Sequence, residues 1–358
     1  MRGLKVAVLE AKSEPGAKIR TTGILVPEAA EEIDIPCWLT RRVPGVRLYA
    51  PNLKSVDLFS PGYAFLTTRT ADLLRWLAGE AARAGARIVC GTRFRGAERV
   101  DGLVRLTGEG IRTRFLIGAD GARSRVAGAF GLDRNVRFLT GVEVELEPSM
   151  QLDGRFLHCF ADSELAPGYI GWAAAGPDFT QLGLAVSDGH KPDLARLIEK
   201  TRPLFHWNAA AIVDRRSGLI PCGGPLTRFA DENVMLIGDA AGWVSPMTAG
   251  GIRTAFRFGR RAGALAADHL LNGGPPPDLV LADQLPRFRM KGLLRRGLDL
   301  AVPNSLLNAV LATAPARALA QRIYFHRRGV RGLDFETYRR RLEPVDMGTP
   351  PLLSDRKD

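Results

Sequence analysis

Val234-Met235-Leu236-Ile237-Gly238-Asp239-Ala240-Ala241-Gly242, followed by Ser245-Pro246 and Gly250-Gly251-Ile252, is the stretch whose reading decides the fold. Its four leading apolar residues suit a compact buried strand. The strand runs straight into small residues, and a glycine pair then opens an alanine-rich helix that reads to about Leu271. Small residues let the backbone approach a bulky ligand, because no side chain stands between them. An Asp at a strand end can bind sugar hydroxyls, and the free N–H groups of a helix N-terminus stabilise negative charge. As structure alone, the same stretch is a strand, a glycine-rich turn and a helix.

A second stretch repeats the plan. Leu116-Ile117-Gly118-Ala119-Asp120-Gly121-Ala122-Arg123-Ser124-Arg125-Val126 is an apolar strand that delivers an Asp-Gly turn into a basic helix start. Alone, Asp-Gly after a strand is a common turn. Two such strand-to-glycine turns about 120 residues apart are hard to explain as independent loops. The third stretch is Leu4 to Leu9, a short aliphatic run ending in Glu10. In dinucleotide-binding βαβ units an acid at this place accepts hydrogen bonds from the adenosine ribose, although a lone acid after a strand is more often solvated.

Between these stretches the pattern is regular. From Arg69 to Ala84, Leu73, Leu74, Leu77 and Ala81 form a helical stripe; Gly85 stops it, and Arg87 to Cys90 begins a strand, so a helix feeds a parallel strand. Thr92 to Ile117 shortens into a three-strand meander around Asp101-Gly102 and Glu109-Gly110. Segments such as Gly141 to Glu147, Phe156 to Ala161 and Leu182 to Val186 alternate as in an antiparallel sheet. Gly273-Gly274-Pro275-Pro276-Pro277 ends the long helix, and a helical segment with a frayed tail follows.

The 358 residues, 46% hydrophobic, hold ample material for a core. Lys+Arg 50 against Asp+Glu 38 gives a formal +12, compatible with an anionic cofactor, an acidic membrane surface or nucleic acid. No helix-turn-helix, zinc-finger or RNA-binding aromatic pattern accompanies the charge, so no nucleic-acid partner is expected. The excess thickens at Arg287, Arg289, Lys291, Arg295 and Arg296, which interleave with Phe288, Met290, Leu293 and Leu294. That spacing fits a solvated basic helix or, as the second reading, an amphipathic helix in peripheral contact with an anionic membrane. No apolar run reaches the roughly 18 residues of a membrane span, and the expected location is cytoplasmic. Cys37, Cys90, Cys159 and Cys222 show no C-x-x-C spacing, so neither disulfides nor a metal site is expected.

In this order the three stretches resemble the FAD-dependent oxidoreductases of the aromatic hydroxylase and geranylgeranyl reductase superfamily, over roughly residues 1 to 272. The resemblance implies a glutathione-reductase-type α/β FAD-binding domain, a parallel sheet plus β-meander, formed by residues 1–34, 61–130 and 229–272. It also implies an inserted antiparallel β-sheet substrate domain over 35–60 and 131–228, and a helical C-terminal segment over 278–358. Glu10, Arg20, Arg69, Asp120 and Gly121 match positions that in the family contact the cofactor, as do Gly238, Asp239, Ala240, Pro246, Gly250, Gly251 and Ile252. Pro167-Gly168-Tyr169-Ile170-Gly171-Trp172-Ala173-Ala174-Ala175 resembles in part the P-x-x-Y-x-W-x-F-P pocket motif of the geranylgeranyl reductase branch. Tyr169 and Trp172 would then line a substrate cavity; as core aromatics of a sheet they would need no function.

The family pattern begins with a strand and G-x-G-x-x-G, about 25 residues that do not precede Glu10 here. The expectation is a start codon upstream of Met1; the alternative is a fragmentary product. Either way, two strand edges should be left open. The implied activity is hydride transfer through FAD, with NAD(P)H or another reductant, to an apolar, isoprenoid-like small molecule. Alternatives are an FAD-dependent aromatic or polyketide monooxygenase, a redox-neutral flavin-dependent cyclase and a non-functional truncated flavoprotein.

Overall fold

The computed structural model describes residues 3–207, 212–285, 288–299, 302–311 and 313–325. The first apolar run forms β1 (Ala7–Leu9), parallel to β7 (Arg87–Val89) from Ala7↔Arg87 to Leu9↔Val89. Helix α2 (Thr70–Arg83) precedes β7 and buries Leu73; Gly85, at φ +87°, turns the chain out of it. The meander follows as β8 (Ala97–Val100), β9 (Leu103–Leu106) and β10 (Arg112–Thr113), paired antiparallel. Asp101 and Gly102 join β8 to β9 with φ of 53° and 72°, the two left-handed residues that a tight hairpin turn requires.

Strand β11 (Leu116–Gly118) lies parallel to β18 (Val234–Leu236), and β17 (Ala230–Asp231) borders β18 antiparallel. Helices α3 (Arg125–Ala129) and α5 (Ile252–Asn272) pack on this sheet around Met235, Leu236, Trp243 and Phe258. Trp243, fully buried, stands edge-on to Phe229 and Phe258 at 5.5 and 5.4 Å between centroids. The parallel sheet expected near the N-terminus is divided: β1–β7 and β11–β18 belong to separate sheets. Among the described residues β1 and β11 each have one edge without a strand partner, and Val6 and Val8 are 44% and 43% exposed. A parallel strand is ordinarily covered on both faces, and these valines depart from that rule.

The large sheet has the order β16 (Ile212–Pro221), β12 (Phe138–Leu146), β15 (Thr180–Ser187), β14 (Gly171–Ala175), β13 (Phe156–Phe160), β4 (Gly45–Tyr49) and β5 (Ser55–Phe59). The expectation of a wholly antiparallel sheet needs correction, because β13 and β4 are parallel. They are not joined by a hairpin: β4 already pairs with β5, and the chain passes through the other layers before returning as β13. Gly45 permits that return, since a Cβ there would stand 2.6 Å from the Phe156 ring. Helix α4 (Leu194–Phe205) covers one face with Leu197 and Phe205. A smaller sheet, β2 (Ile24–Leu25), β6 (Phe65–Thr68) and β3 (Thr40–Val43), carries α1 (Pro27–Ala30) beside it.

The C-terminal helices are α6 (Pro277–Ala282), α7 (Arg289–Asp299), α8 (Asn304–Val310) and α9 (Ala314–Phe325). Phe325 ends α9 fully buried, edge-on to Tyr63 at 5.4 Å. The reading of a solvated basic helix is corrected at Arg295, which is 1% exposed while Leu293 is 63% exposed. Arg287 and the expected frayed tail lie outside the described residues. No described helix is long and apolar enough to cross a membrane.

Candidate functional site

Parallel pairing of β11 with β18 sets the Asp120 and Asp239 turns side by side at the same ends of neighbouring strands, with Ile237 N–H donating to the Gly118 carbonyl at 3.0 Å. Asn135 clamps the two turns together. Its amide donates to the Ala122 carbonyl at 3.1 Å and to the Asp239 carbonyl at 2.8 Å. Gly242, at φ +70°, is obligatory here: a Cβ would meet the Gly224 carbonyl oxygen at 2.4 Å and Asn135 Oδ1 at 2.8 Å.

The two acids are used differently. The Asp120 carboxylate accepts the N–H groups of Arg125 and Val126, at 2.6 and 3.1 Å, and the Ser124 hydroxyl at 2.6 Å. It braces the start of α3, where Ser124 accepts from the Ala127 N–H. The Asp239 carboxylate has no hydrogen-bond or ion-pair partner among the described residues, and burial raises its pKa. A desolvated acceptor without a donor is a group awaiting hydroxyls. Beside it, Gly251 caps α5 with no side-chain hydrogen bond, and a Cβ there would sit 3.0 Å from Val244 Cγ2 and 3.1 Å from Asp239 Oδ1.

These groups open on a cavity of about 770 Å³ between the α5 start and the large sheet. Arg20, Tyr169, Trp172, Asp239, Gly250, Gly251 and Ile252 all line it. Glu10, Arg69, Asp120, Gly121, Gly238, Ala240 and Pro246 do not. Glu10 accepts the Lys12 N–H at 2.9 Å, and Arg69 pairs with Asp178 at 3.2 Å. Ala240 and Pro246 are buried. The Tyr169 hydroxyl donates to the Thr248 carbonyl at 2.8 Å and so joins the sheet to the segment preceding α5.

Trp172 donates its indole N–H to Glu143 Oε2 at 2.8 Å. Glu143 Oε1 lies 3.5 Å from Arg216 Nη1, and Arg216 also pairs with Glu145. Burial pushes the Glu143 carboxyl up to about 7, outweighing the Trp172 hydrogen bond and the Arg216 charge. Both Glu143 and Arg216 line the cavity. Neither was legible beforehand. Two acids spaced i, i+2 in a strand share a face, but their cation comes from β16, directly opposite Glu143 in the register. Asn135 carried no signal, because its role depends on two turns brought together from afar.

A glycine-opened helix, an unpartnered carboxylate on the preceding turn and a deep cavity fit the ribityl and ring portion of FAD. The FAD binding domain family model matches residues 51–267. This chain belongs to that family. It is an FAD-dependent oxidoreductase of the geranylgeranyl reductase and aromatic hydroxylase superfamily. The digeranylgeranylglycerophospholipid reductase of Methanothrix thermoacetophila is 32% identical over 304 residues, 76% of this chain and 74% of the relative. The digeranylgeranylglycerophospholipid reductase 1 of Methanothermobacter thermautotrophicus is 30% identical over 76% of this chain and 73% of its own. In fold, the chain is similar to a geranylgeranyl bacteriochlorophyll reductase-like protein from Thermoplasma acidophilum, with TM-score 0.77, 20% identity and coverage of 95% and 89%. A probable FAD-dependent monooxygenase from Pseudomonas aeruginosa shares the fold at TM-score 0.63 and 18% identity, over 87% of this chain and 94% of that one.

Proposed function

We propose that this flavoprotein reduces carbon–carbon double bonds of an isoprenoid-tailed substrate held in the cavity. The observation that carries the reading is the continuity of one cavity from Asp239 and Gly250-Gly251 to apolar walls at Leu48, Leu157 and Ala174. Bound FAD supplies hydride chemistry at its N5 atom, replenished by NAD(P)H or another reductant. Asp239 would hold the ribityl hydroxyls of bound FAD, and the uncapped α5 N-terminus would favour negative charge on the flavin. Tyr169 and Trp172 shape the substrate chamber, and its apolar walls keep water from the reacting carbons. Glu10, Arg20, Arg69 and the Asp120-Gly121 turn serve the adenosine and phosphate half.

In this reading the layers around β1, β7, β11 and β18 are a glutathione-reductase-type cofactor domain, and the large sheet is the substrate domain. The names of the relatives support a polyprenyl lipid as substrate. The test is anaerobic: the FAD-loaded protein, reduced with dithionite, is mixed with a geranylgeranyl-bearing glycerophospholipid. Flavin reoxidation with a gain of two hydrogens per double bond is expected by mass spectrometry. A bound flavin that stays reduced overturns the reading, and a hydroxylated product formed only with oxygen assigns the chain to monooxygenation.

A further inference from the structure

Helix α7 turns Lys291 and Arg295 inward. Phe288, Lys291 and Asp299 line the cavity. Arg295, one turn from both Lys291 and Asp299, lies on the same face. Its Nη2 donates to Asp299 Oδ1 at 2.6 Å, whereas Nε and Nη1 are buried without a partner. Arg253, in the first turn of α5, lines the cavity too, and its Nε is likewise buried and unpartnered. Lys291 makes no ion pair among the described residues. Burial first, and then the nearby Arg253 charge, pushes its ammonium pKa below the ordinary lysine value.

Arg253 and Lys291 thus face one cavity with no acid paired to either among the described residues, whereas Arg295 is held by Asp299, which also pairs with Arg137. Unpaired cations in a low-dielectric cavity repel one another and leave donors unfilled, a costly arrangement unless an anion completes it. A phosphate offers enough charge and enough acceptor oxygens to engage a guanidinium group and an ammonium together. Much of the remaining wall is apolar, at Leu48, Phe65, Leu157 and Ala174, so an anion that carries an apolar tail fills the cavity best. We propose that Arg253 and Lys291 form the subsite for the phosphate of an amphiphilic substrate, with its tail against the large sheet. This rests on reading the cavity as the substrate chamber.

The test compares ligands that differ only in the phosphate. Geranylgeranyl phosphate and geranylgeraniol are titrated by equilibrium dialysis against the full chain, with and without saturating FAD. The phosphate should bind at least about tenfold tighter. Lys291→Met and Arg253→Met should each remove most of that preference while geranylgeraniol affinity changes less than about twofold. Lys291→Gln serves if the methionine variant misfolds, with thermal unfolding as the check. Equal binding of both ligands to the unaltered chain overturns the proposal, as does equal weakening of both by the variants. Inorganic phosphate binding as tightly as the lipid phosphate would make this a free-ion site, and variants that lose FAD instead would make it a cofactor site. Failure of double-bond reduction with the phosphate preference intact would sink the reductase reading and leave this subsite standing.

Discussion

Replacing Glu143 by glutamine should change how stability depends on pH. The carboxyl is 4% exposed, and its pKa rises from 4.5 to about 7 in the folded chain. The folded state therefore binds more protons than the unfolded chain between those two values. Stability must then fall as pH rises through that window and level off above it. At about 1.4 kcal/mol per pH unit, the shift is worth about 3 kcal/mol. Glutamine keeps an acceptor for the Trp172 indole but does not titrate, so this contribution disappears in Glu143→Gln. Urea unfolding of both proteins at about pH 5 and about pH 8 isolates it, because every other titrating group is common to the pair. The difference between the proteins should move by about 2 to 3 kcal/mol across that range, with the variant gaining on the native chain at high pH. Parallel stability curves would refute the argument that burial outweighs the Arg216 charge.

Three further outcomes follow from the geometry. Asn135→Ala strips a donor from the Ala122 and Asp239 carbonyls and should cost about 1 to 3 kcal/mol in thermal or urea unfolding, with weaker FAD uptake in a fluorescence titration; native stability and affinity would show that the clamp is idle. Gly251→Val crowds Val244 and the Asp239 carboxylate and should weaken FAD binding roughly tenfold or more with little loss of fold, checked by the same titration alongside circular dichroism. Phe325→Ala empties the contact with Tyr63 and Phe65 and should cost about 3 to 5 kcal/mol, read as a lowered urea midpoint; a smaller loss would mean that α9 is only loosely held.

Local chemistry made most of the framework legible. The Asp101-Gly102 turn, the Leu73 stripe and the aliphatic run before Gly238 each act within a few residues, and hairpin, helix and strand formed where they pointed. Partner choice did not. The parallel β13–β4 pair and the inward face of α7 depend on chain passing between layers, and no local period records that.

The sequence by itself determined the family, because close backbone approach to a flavin demands small residues in a fixed order after a strand, and Gly238 to Ile252 meets that demand. Only the tertiary structure decided which residues share the cavity. It placed Tyr169, Trp172, Asp239, Arg253 and Lys291 around one chamber and spent Asp120 on a helix start. It also paired Glu143 with Arg216 across neighbouring strands. The physical reason is that a carboxylate or a cation is defined by what surrounds it, and those surroundings can come from distant segments, 73 residues apart for Glu143 and Arg216.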